Sequence, residues 1–302
     1  MSRAGAGPGP SRTDTSAVIT TRLLVHAMVR EDGTVDADGL YTVAGALDMT
    51  DQQVRLCIKR LVAEGRFTHE GRGRKALLRT TADITGTIAP ETGYVRYAYR
   101  QDRGDAPWDG TWHLIAFAIP ESARAARDTL RDTILRLGAA AVQGGLYVTA
   151  NPVAPRVEAT ARRLGVLDSV TFLTSRDLRI GDHRDPATLA GTLWPLGDIA
   201  ARYDRLAALA RAGLDRLAGA TPLTDTGHLV LALELAAEFT RAMDPDPLLP
   251  PELLPRPWSG AHARRLAALC WTRLLESRPP TGGQPRLFRL YADIIREAAQ
   301  PS

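Results

Sequence analysis

A multidomain α+β protein is predicted by three successive changes in the pattern of the sequence. Up to about residue 82, apolar residues recur at helical spacing and are followed by a basic turn punctuated by glycine. Between residues 108 and 195, short apolar runs alternate with helical segments, and from residue 196 the pattern is helical. These patterns predict an N-terminal winged helix-turn-helix, a central ferredoxin-like βαββαβ domain and a C-terminal α-helical domain.

The composition is that of an ordinary globular protein. The chain has 302 residues, 44% of them hydrophobic and 24% charged, which suits two or three domains. A net charge of +4 favours an anionic partner only weakly. Residues 1–16 are dominated by small residues without an apolar run, so they predict a disordered tail rather than a signal peptide. No segment has about 18 uninterrupted apolar residues. We therefore expect a cytoplasmic protein with no membrane partner.

The first domain is expected to span residues 17–82 and to begin with three helices. Residues 18–30 and 39–47 have helical spacing. The third helix starts after Thr50, which forms a capping box with Gln53, and stops at Gly65.

Two contrasting faces characterise this third helix when it is turned at 100° per residue. The apolar face, which should be buried, consists of Val54, Cys57, Ile58 and Leu61. The opposite face carries Gln52, Arg55, Leu56 and Lys59.

A cationic hairpin is predicted next, with extended runs at residues 66–69 and 75–80 around the sequence GRGR. A polar helix face beside such a wing suits double-stranded DNA, since the helix fits the major groove and the wing arginines meet phosphates. The alternative is a solvated amphipathic helix followed by a polar loop. Leu56 would either touch a thymine methyl group or pack against a partner subunit. The predicted DNA-binding residues are Thr50, Gln52, Gln53, Arg55, Leu56, Lys59, Arg60, Arg72, Arg74 and Lys75.

The central domain is expected at residues 108–195, after a linker at residues 83–107 in which residues 93–100 could form a short helix. Its predicted strands are residues 112–119, 139–142, 146–149 and 169–174, and its predicted helices are residues 121–137 and 155–164. The helical domain, residues 196–302, contains predicted helices at 198–218, 226–243, 259–277 and 286–299. Residues 244–257 (DPDPLLPPELLPRP) are too rich in proline for regular structure.

Four segments carry a resemblance to a known family. They are WDGTWHLIAFAIPE (108–121), LGAAAVQGGLYVTANP (137–152), LWPLGDIAARYDRL (193–206) and, as the longest and most unusual, DPDPLLPPELLPRPWSG (244–260). The chain resembles the PaaX-like family of transcriptional regulators, the repressors of phenylacetic acid degradation and their relatives. This resemblance implies a homodimeric repressor with a winged DNA-binding domain, a central domain similar to the Cas2 fold and a helical C-terminal region. A dimer would bind a pseudo-palindromic operator.

The resemblance also implies a small-molecule effector. In the family, repression is relieved by an aryl- or acyl-coenzyme A thioester, phenylacetyl-CoA in the best-known members. Such a ligand needs cations for its phosphates and an apolar or aromatic slot for its acyl group. The alternative is that the tryptophans in these segments pack in the core and the arginines are solvated. The candidate effector-binding residues are Trp194, Arg202, Tyr203, Arg241 and Trp258.

An enzymatic function is not expected, and neither is a cofactor. The sequence lacks the nucleophile-elbow, phosphate-loop and zinc-protease motifs, and its six histidines are scattered without ligand spacing. Where the family usually has an aspartate, this chain has Ala118, so a Cas2-type metal site loses its carboxylate. No catalytic or metal-binding residue is predicted. The alternative to a DNA-binding regulator is a non-DNA-binding adaptor or a degenerate Cas2-like protein of nuclease fold.

Overall fold

The structure, a computed structural model, describes residues 19–81, 92–277 and 284–299. Within those ranges it has eleven α-helices and seven β-strands. The chain divides into two compact units, each assembled from separate stretches of sequence. The first unit comprises Met1–Ala89, Gly213–Glu238 and Trp271–Ala292, and the second comprises Pro90–Ala212, Phe239–Cys270 and Asp293–Ser302.

The N-terminal elements of the first unit are three helices and a small antiparallel sheet. In chain order they are α1 (Thr21–Ala27), β1 (Thr34–Asp36), α2 (Ala37–Ala46), α3 (Asp51–Ala63), β2 (Phe67–Glu70) and β3 (Leu77–Thr80). The strand order is β1-β3-β2, so β3 pairs with both neighbours. Buried apolar residues from the helices and from β3, such as Leu24, Leu40 and Leu78, form the core. The three predicted helices are therefore confirmed.

Side-chain caps fix where the first two of these helices begin. Thr20 accepts a hydrogen bond from the backbone N–H of Leu23, and Asp36 accepts one from Gly39. As a result α1 is shorter than the predicted 18–30, within the residues described, and α2 begins two residues before the predicted 39–47.

The predicted extended run at residues 75–80 was wrong at its start, because Gly73–Lys75 form a 3₁₀ turn that delays β3 to Leu77. Strand β1 was not predicted at all. Three residues are too few for an alternating pattern, so this strand is defined only by its pairing with β3.

The second unit contains an antiparallel sheet with helices packed against it. Its elements up to residue 193 are α4 (Thr92–Asp102), β4 (Trp112–Phe117), α5 (Arg124–Arg136), β5 (Ala140–Gln143), β6 (Leu146–Thr149), α6 (Ala154–Arg163), β7 (Val170–Ser175) and α7 (Pro186–Leu193). The strand order is β5-β6-β4-β7. The predicted βαββαβ order is confirmed for β4 to β7. Residues 83–91 of the expected linker lie outside the described residues, and α4 is the short helix expected at 93–100.

The core of this sheet is formed by one face of the strands and the facing sides of α5 and α6. Ile115 and Tyr147 project from β4 and β6, and they pack with Leu130, Ile134 and Val157 from the two helices. Helix α7 was not predicted. Its start is set by Asp185, which caps the Thr188 N–H, and by a proline at the first helical position.

Four longer helices follow, and each confirms a predicted helix to within two residues. They are α8 (Leu196–Ala218), α9 (Asp225–Met243), α10 (Ser259–Glu276) and α11 (Arg286–Ala299). The proline-rich strap, defined here as residues 244–257, has no regular structure except a 3₁₀ turn at Pro251–Leu253, as predicted. Among the described residues, no helix is both long enough and apolar enough to cross a lipid bilayer. The domain boundaries given above stay predictions.

Candidate functional sites

The start of α3 is fixed by a capping box. The Thr50 backbone N–H donates to the Gln53 side-chain oxygen at 2.7 Å, and the Gln53 N–H donates to the Thr50 hydroxyl at 3.3 Å. Both residues are exposed, but their polar atoms hold the helix terminus. These two candidate DNA-binding residues therefore orient the helix and have fewer free atoms for an external partner.

The outward face of α3 is the one that the sequence predicts. Val54, Ile58 and Leu61 are buried and Cys57 is half-buried. Burial raises the pKa of the Cys57 thiol, so it is a poor nucleophile. On the other side Leu56 is 48% exposed. The remaining candidates on this helix, Gln52, Arg55, Lys59 and Arg60, are all exposed.

Two of the candidate cations make ion pairs within the first unit. Arg74 in the turn lies 3.2 Å from the Asp38 carboxylate and 3.9 Å from that of Asp51. Its guanidinium also lies 5.4 Å from the centroid of the Tyr41 ring. Arg55 lies 3.9 Å from the same Asp51 carboxylate. These contacts fasten the turn to α2 and to the first turn of α3.

Three other candidate DNA-binding residues are exposed cations that differ from Arg55 and Arg74 in their pairing. Among the residues that the structure describes, Lys59, Arg72 and Lys75 form no ion pair, so their charges face solvent. Beside them is a recess of about 410 Å³ whose lining includes apolar residues as well as Arg55 and Lys59. The recess is lined by Ala37, Tyr41, Arg55, Ile58, Lys59, Val62, His69 and Gly73. This surface combines hydrogen-bond donors, positive charge and apolar contact area.

The candidate effector residues lie in the second unit, and their contacts there differ. Trp194 is buried, where it stacks against Trp112 at 6.3 Å and donates its indole N–H to the Gly138 carbonyl at 3.0 Å. Arg202 donates to the backbone carbonyl of Arg241 at 3.4 Å. Trp194 therefore has a packing role in this structure.

Tyr203 and Trp258 do meet, edge to face, with ring centroids 6.2 Å apart. Tyr203 is fully buried, and burial raises the pKa of its phenol well above the usual range. Its hydroxyl donates to Asp246 and accepts from the Nη1 atom of Arg264 at 2.6 Å. The Tyr203 hydroxyl therefore binds Arg264, a charged residue that is not among the candidates predicted from the sequence.

Arg264 is the centre of a buried charge cluster, defined as Arg264, Asp102, Asp246 and Tyr203. Its Nε and Nη2 atoms donate to the two carboxylate oxygens of Asp102 at 2.7 and 2.6 Å, a bidentate pair. Its Nη1 atom also lies 3.3 Å from an Asp246 oxygen. Burial alone would lower the pKa of Arg264, but Tyr203 and the two carboxylates raise it well above its usual range. The guanidinium therefore stays charged.

The proline-rich strap is fixed beside this cluster by side-chain donors that bind its backbone carbonyls. Gln101 donates to the Leu248 carbonyl at 2.8 Å, and the Asn151 amide donates to the carbonyls of Pro247 and Leu248 at 3.0 Å each. Tyr94 donates to the carbonyl of Asp246. These donors satisfy carbonyls that a proline-rich segment cannot pair internally.

A cavity of about 420 Å³ adjoins the cluster. Asp102 and Arg264 form part of its wall, with Glu252 and Arg103 as further charged residues. Arg103 is paired with Asp105, because its Nε atom lies 2.8 Å from that carboxylate. The rest of the wall is largely apolar or small, and consists of Gln101, Gly104, Ala106, Pro107, Leu249, Pro251, Leu254, Trp258 and Ala261.

No group of three or more histidine, cysteine or acidic side chains suited to a metal ion occurs among the described residues. Ala118, at the position discussed above, follows the end of β4, and its N–H bonds to the Ser169 carbonyl at 3.1 Å. Strand β4 itself carries no carboxylate.

Comparison with known proteins gives two family matches. The PaaX protein central Cas2-like domain matches residues 105–189, and the PaaX-like protein C-terminal domain matches residues 194–278. Together they cover more than half of the chain. Among solved structures, the uncharacterized protein Rv0674 from Mycobacterium tuberculosis is similar, at 23% identity and a TM-score of 0.47, over 85% of this chain and 95% of that one. No curated protein matches.

Proposed function

Because the chain belongs to the PaaX-like family, we propose that it is a transcription regulator, a repressor that binds double-stranded DNA. The N-terminal elements α1 to β3 would form a winged helix-turn-helix, in which α3 is the recognition helix and the turn at residues 71–76 is the wing. The family matches begin at residue 105, so this part of the proposal rests on the geometry of residues 19–81.

The single observation that carries the proposal is the outward face of α3 with the cations beside it. Gln52, Arg55 and Lys59 are exposed on one side of a helix whose other side is buried. Such side chains can reach base edges in the major groove. Arg72 and Lys75, exposed in the neighbouring turn, would contact phosphates and so supply affinity without sequence preference.

Regulation would come from a dimer and a small-molecule effector. A homodimer would match the symmetry of a pseudo-palindromic operator. An effector can release the operator only by binding better to a dimer that is unable to hold it. An acyl-coenzyme A thioester stays a prediction of the family resemblance.

A fluorescence titration of the full chain against duplexes from its own upstream region tests DNA binding. We expect one duplex to bind more tightly than a scrambled duplex of equal length. We also expect the logarithm of the binding constant to fall linearly with the logarithm of salt concentration between about 50 and 200 mM, since phosphate contacts release counterions. Equal, salt-dependent binding to both duplexes would contradict a sequence-specific regulator. Binding to neither duplex would favour the non-DNA-binding adaptor.

A further inference from the structure

In the second unit the cavity and the charge cluster share one wall. The proposed function assigns no role to this wall. Arg264 is one of the few buried charged side chains in the described residues, with its side chain 4% exposed. Buried charges are retained in proteins when they are paired, and here the pairing partners outnumber the cation. One guanidinium faces two carboxylates, those of Asp102 and Asp246.

The two carboxylates are held very differently. Asp246 belongs to the strap, is 5% exposed, and accepts further hydrogen bonds from the Leu248 N–H and the Tyr203 hydroxyl. Asp102 is the last residue of α4 and is 15% exposed, and its side chain forms part of the cavity wall. Carboxylates are disfavoured at the C-terminal end of a helix by the helix dipole. Asp102 is therefore the partner of Arg264 that a ligand in the cavity can reach.

We propose that this cavity binds a small aromatic or aliphatic monocarboxylate, whose carboxylate replaces that of Asp102 on the Nε–Nη2 edge of Arg264. The incoming group would reproduce the same bidentate geometry. Its apolar part would lie against Pro107, Leu254 and Trp258 in the cavity wall.

The charges around Arg264 favour replacement of the Asp102 carboxylate by the ligand, not binding of the ligand beside it. A ligand carboxylate added beside Asp102 and Asp246 would place three anions around one cation in a poorly solvated site. Removal of the Asp102 side chain into solvent keeps the number of carboxylates at two. Binding of the ligand therefore breaks the contact between Asp102 and Arg264, which anchors the end of α4.

The charged residues of the cavity wall also argue against the binding of phosphate groups inside the cavity. Its wall has two arginines, and both are already paired, Arg264 with Asp102 and Asp246 and Arg103 with Asp105. Polyanionic ligands need additional cationic donors. A free monocarboxylate needs only the Nε–Nη2 edge of Arg264, which becomes free when Asp102 moves away.

The regulatory consequence rests on the proposed function. Helix α4 is the first element described after residues 19–81, which contain the proposed DNA-binding elements. Loss of the Asp102 contact on ligand binding would release the C-terminal end of α4 from Arg264. The ligand would thereby favour one of the two regulator states.

Calorimetric titration of the full chain with benzoate tests the site directly. We expect binding to the native chain, and binding at least about tenfold tighter to Asp102→Asn, because the ligand then meets no competing carboxylate. Arg264→Lys should bind at least about tenfold more weakly, since a lysine cannot offer a bidentate edge. Benzamide, the neutral isostere, should not bind.

Glu252→Gln is the matched control, because it removes a negative charge from the same cavity wall without touching Arg264. It should change the affinity for benzoate by less than about threefold. Circular dichroism measures whether each variant is folded. If Arg264→Lys is not folded, Asp102→Asn still tests the site.

Three results would overturn the inference: no benzoate binding to either the native chain or folded Asp102→Asn, equal affinity of those two, or equal binding of benzamide. These titrations contain no DNA. A failure of the carboxylate site is therefore distinguishable from a failure of DNA binding, which the duplex titrations measure separately. A third measurement, the effect of benzoate on duplex affinity, tests the link between them.

Discussion

Arginine has opposite roles in two regions of the chain, the outward surface of α3 with its turn and the charge cluster around Arg264. Arg55 and Arg74 on the first surface are exposed, and their contacts with Asp38 and Asp51 are exposed pairs. Arg264 is buried and held by two carboxylates and a phenol. Exposed pairs contribute little to stability, whereas a buried charge that loses its partners is costly.

This difference teaches that charge alone does not identify a binding surface in this chain. In the first region Lys59, Lys75 and Arg72 form no ion pair among the described residues, so their charges are available to an external anion. In the second region the cation is already neutralised inside the protein. An anion can reach it only by competing with Asp102, which makes that region suited to a switch rather than to a docking surface.

The largest expected effect is on stability, from Arg264→Met. This change leaves the carboxylates of Asp102 and Asp246 buried without their cation, so the free energy of unfolding should fall by about 3–5 kcal/mol. Urea denaturation of the full chain measures it. The exposed neighbour Arg265→Met should change the same quantity by less than about 0.5 kcal/mol. Similar decreases in the free energy of unfolding for Arg264→Met and Arg265→Met would contradict the distinction between buried and exposed arginines.

The second prediction concerns how closely the strap packs in the buried region. Gly138 has a φ of +84°, and a β-carbon there would lie 2.7 Å from the Pro247 carbonyl oxygen. Gly138→Ala should therefore lower the free energy of unfolding by about 3 kcal/mol. Gly165 has a φ of +68° but nothing within 4 Å, so Gly165→Ala should cost only about 1 kcal/mol. Equal losses would show that backbone conformation, not contact with the strap, sets the cost.

The exposed region is tested by DNA affinity instead of stability. Arg55→Ala and Lys59→Ala should reduce the discrimination between the preferred and scrambled duplexes by about 1–3 kcal/mol. Arg72→Ala should weaken binding to both equally and lower the salt slope by about 1. Because Asp38 and Asp51 already hold Arg74, Arg74→Ala should lower the slope less than Arg72→Ala does. Equal slopes for the two wing variants would contradict that division.

The smallest expected effect is a pH dependence in the first unit. His26 is buried against Phe67, and neither ring nitrogen has a hydrogen-bond partner within the described residues. Burial lowers the pKa of His26, as do Arg22 and Arg66, while Glu64 acts in the opposite direction. The unfolded chain, whose histidine has a pKa of about 6.5, then binds a proton that the folded chain does not.

The contribution of His26 to the free energy of unfolding should therefore be complete above about pH 6.5 and be lost as the pH falls below it. Urea denaturation between about pH 5 and 8 measures the slope. His26→Leu should flatten this dependence, and the exposed His69→Ala should leave it unchanged. A His26→Leu curve parallel to the native one would assign the dependence to other groups.

The local sequence determined much of this protein. Thr50 and Gln53, three residues apart, predicted a capping box, and the 3.6-residue spacing of Val54, Ile58 and Leu61 predicted the buried side of α3. The same reasoning predicted the βαββαβ order and the four long C-terminal helices. In each case the forces act between residues a few positions apart, so the pattern is visible in the sequence.

Only the tertiary structure decided which charged residues meet. Asp102 and Arg264 are 162 positions apart. Helical spacing places Arg264 on the side of its helix that carries the buried Ala267 and Trp271, but no local pattern indicates which carboxylate it meets. Strand β1 likewise exists only because β3 pairs with it. Sequence spacing determines which side of a helix is apolar, but the pairing of distant charges depends on the packing that excludes water around them and makes each unpaired charge costly.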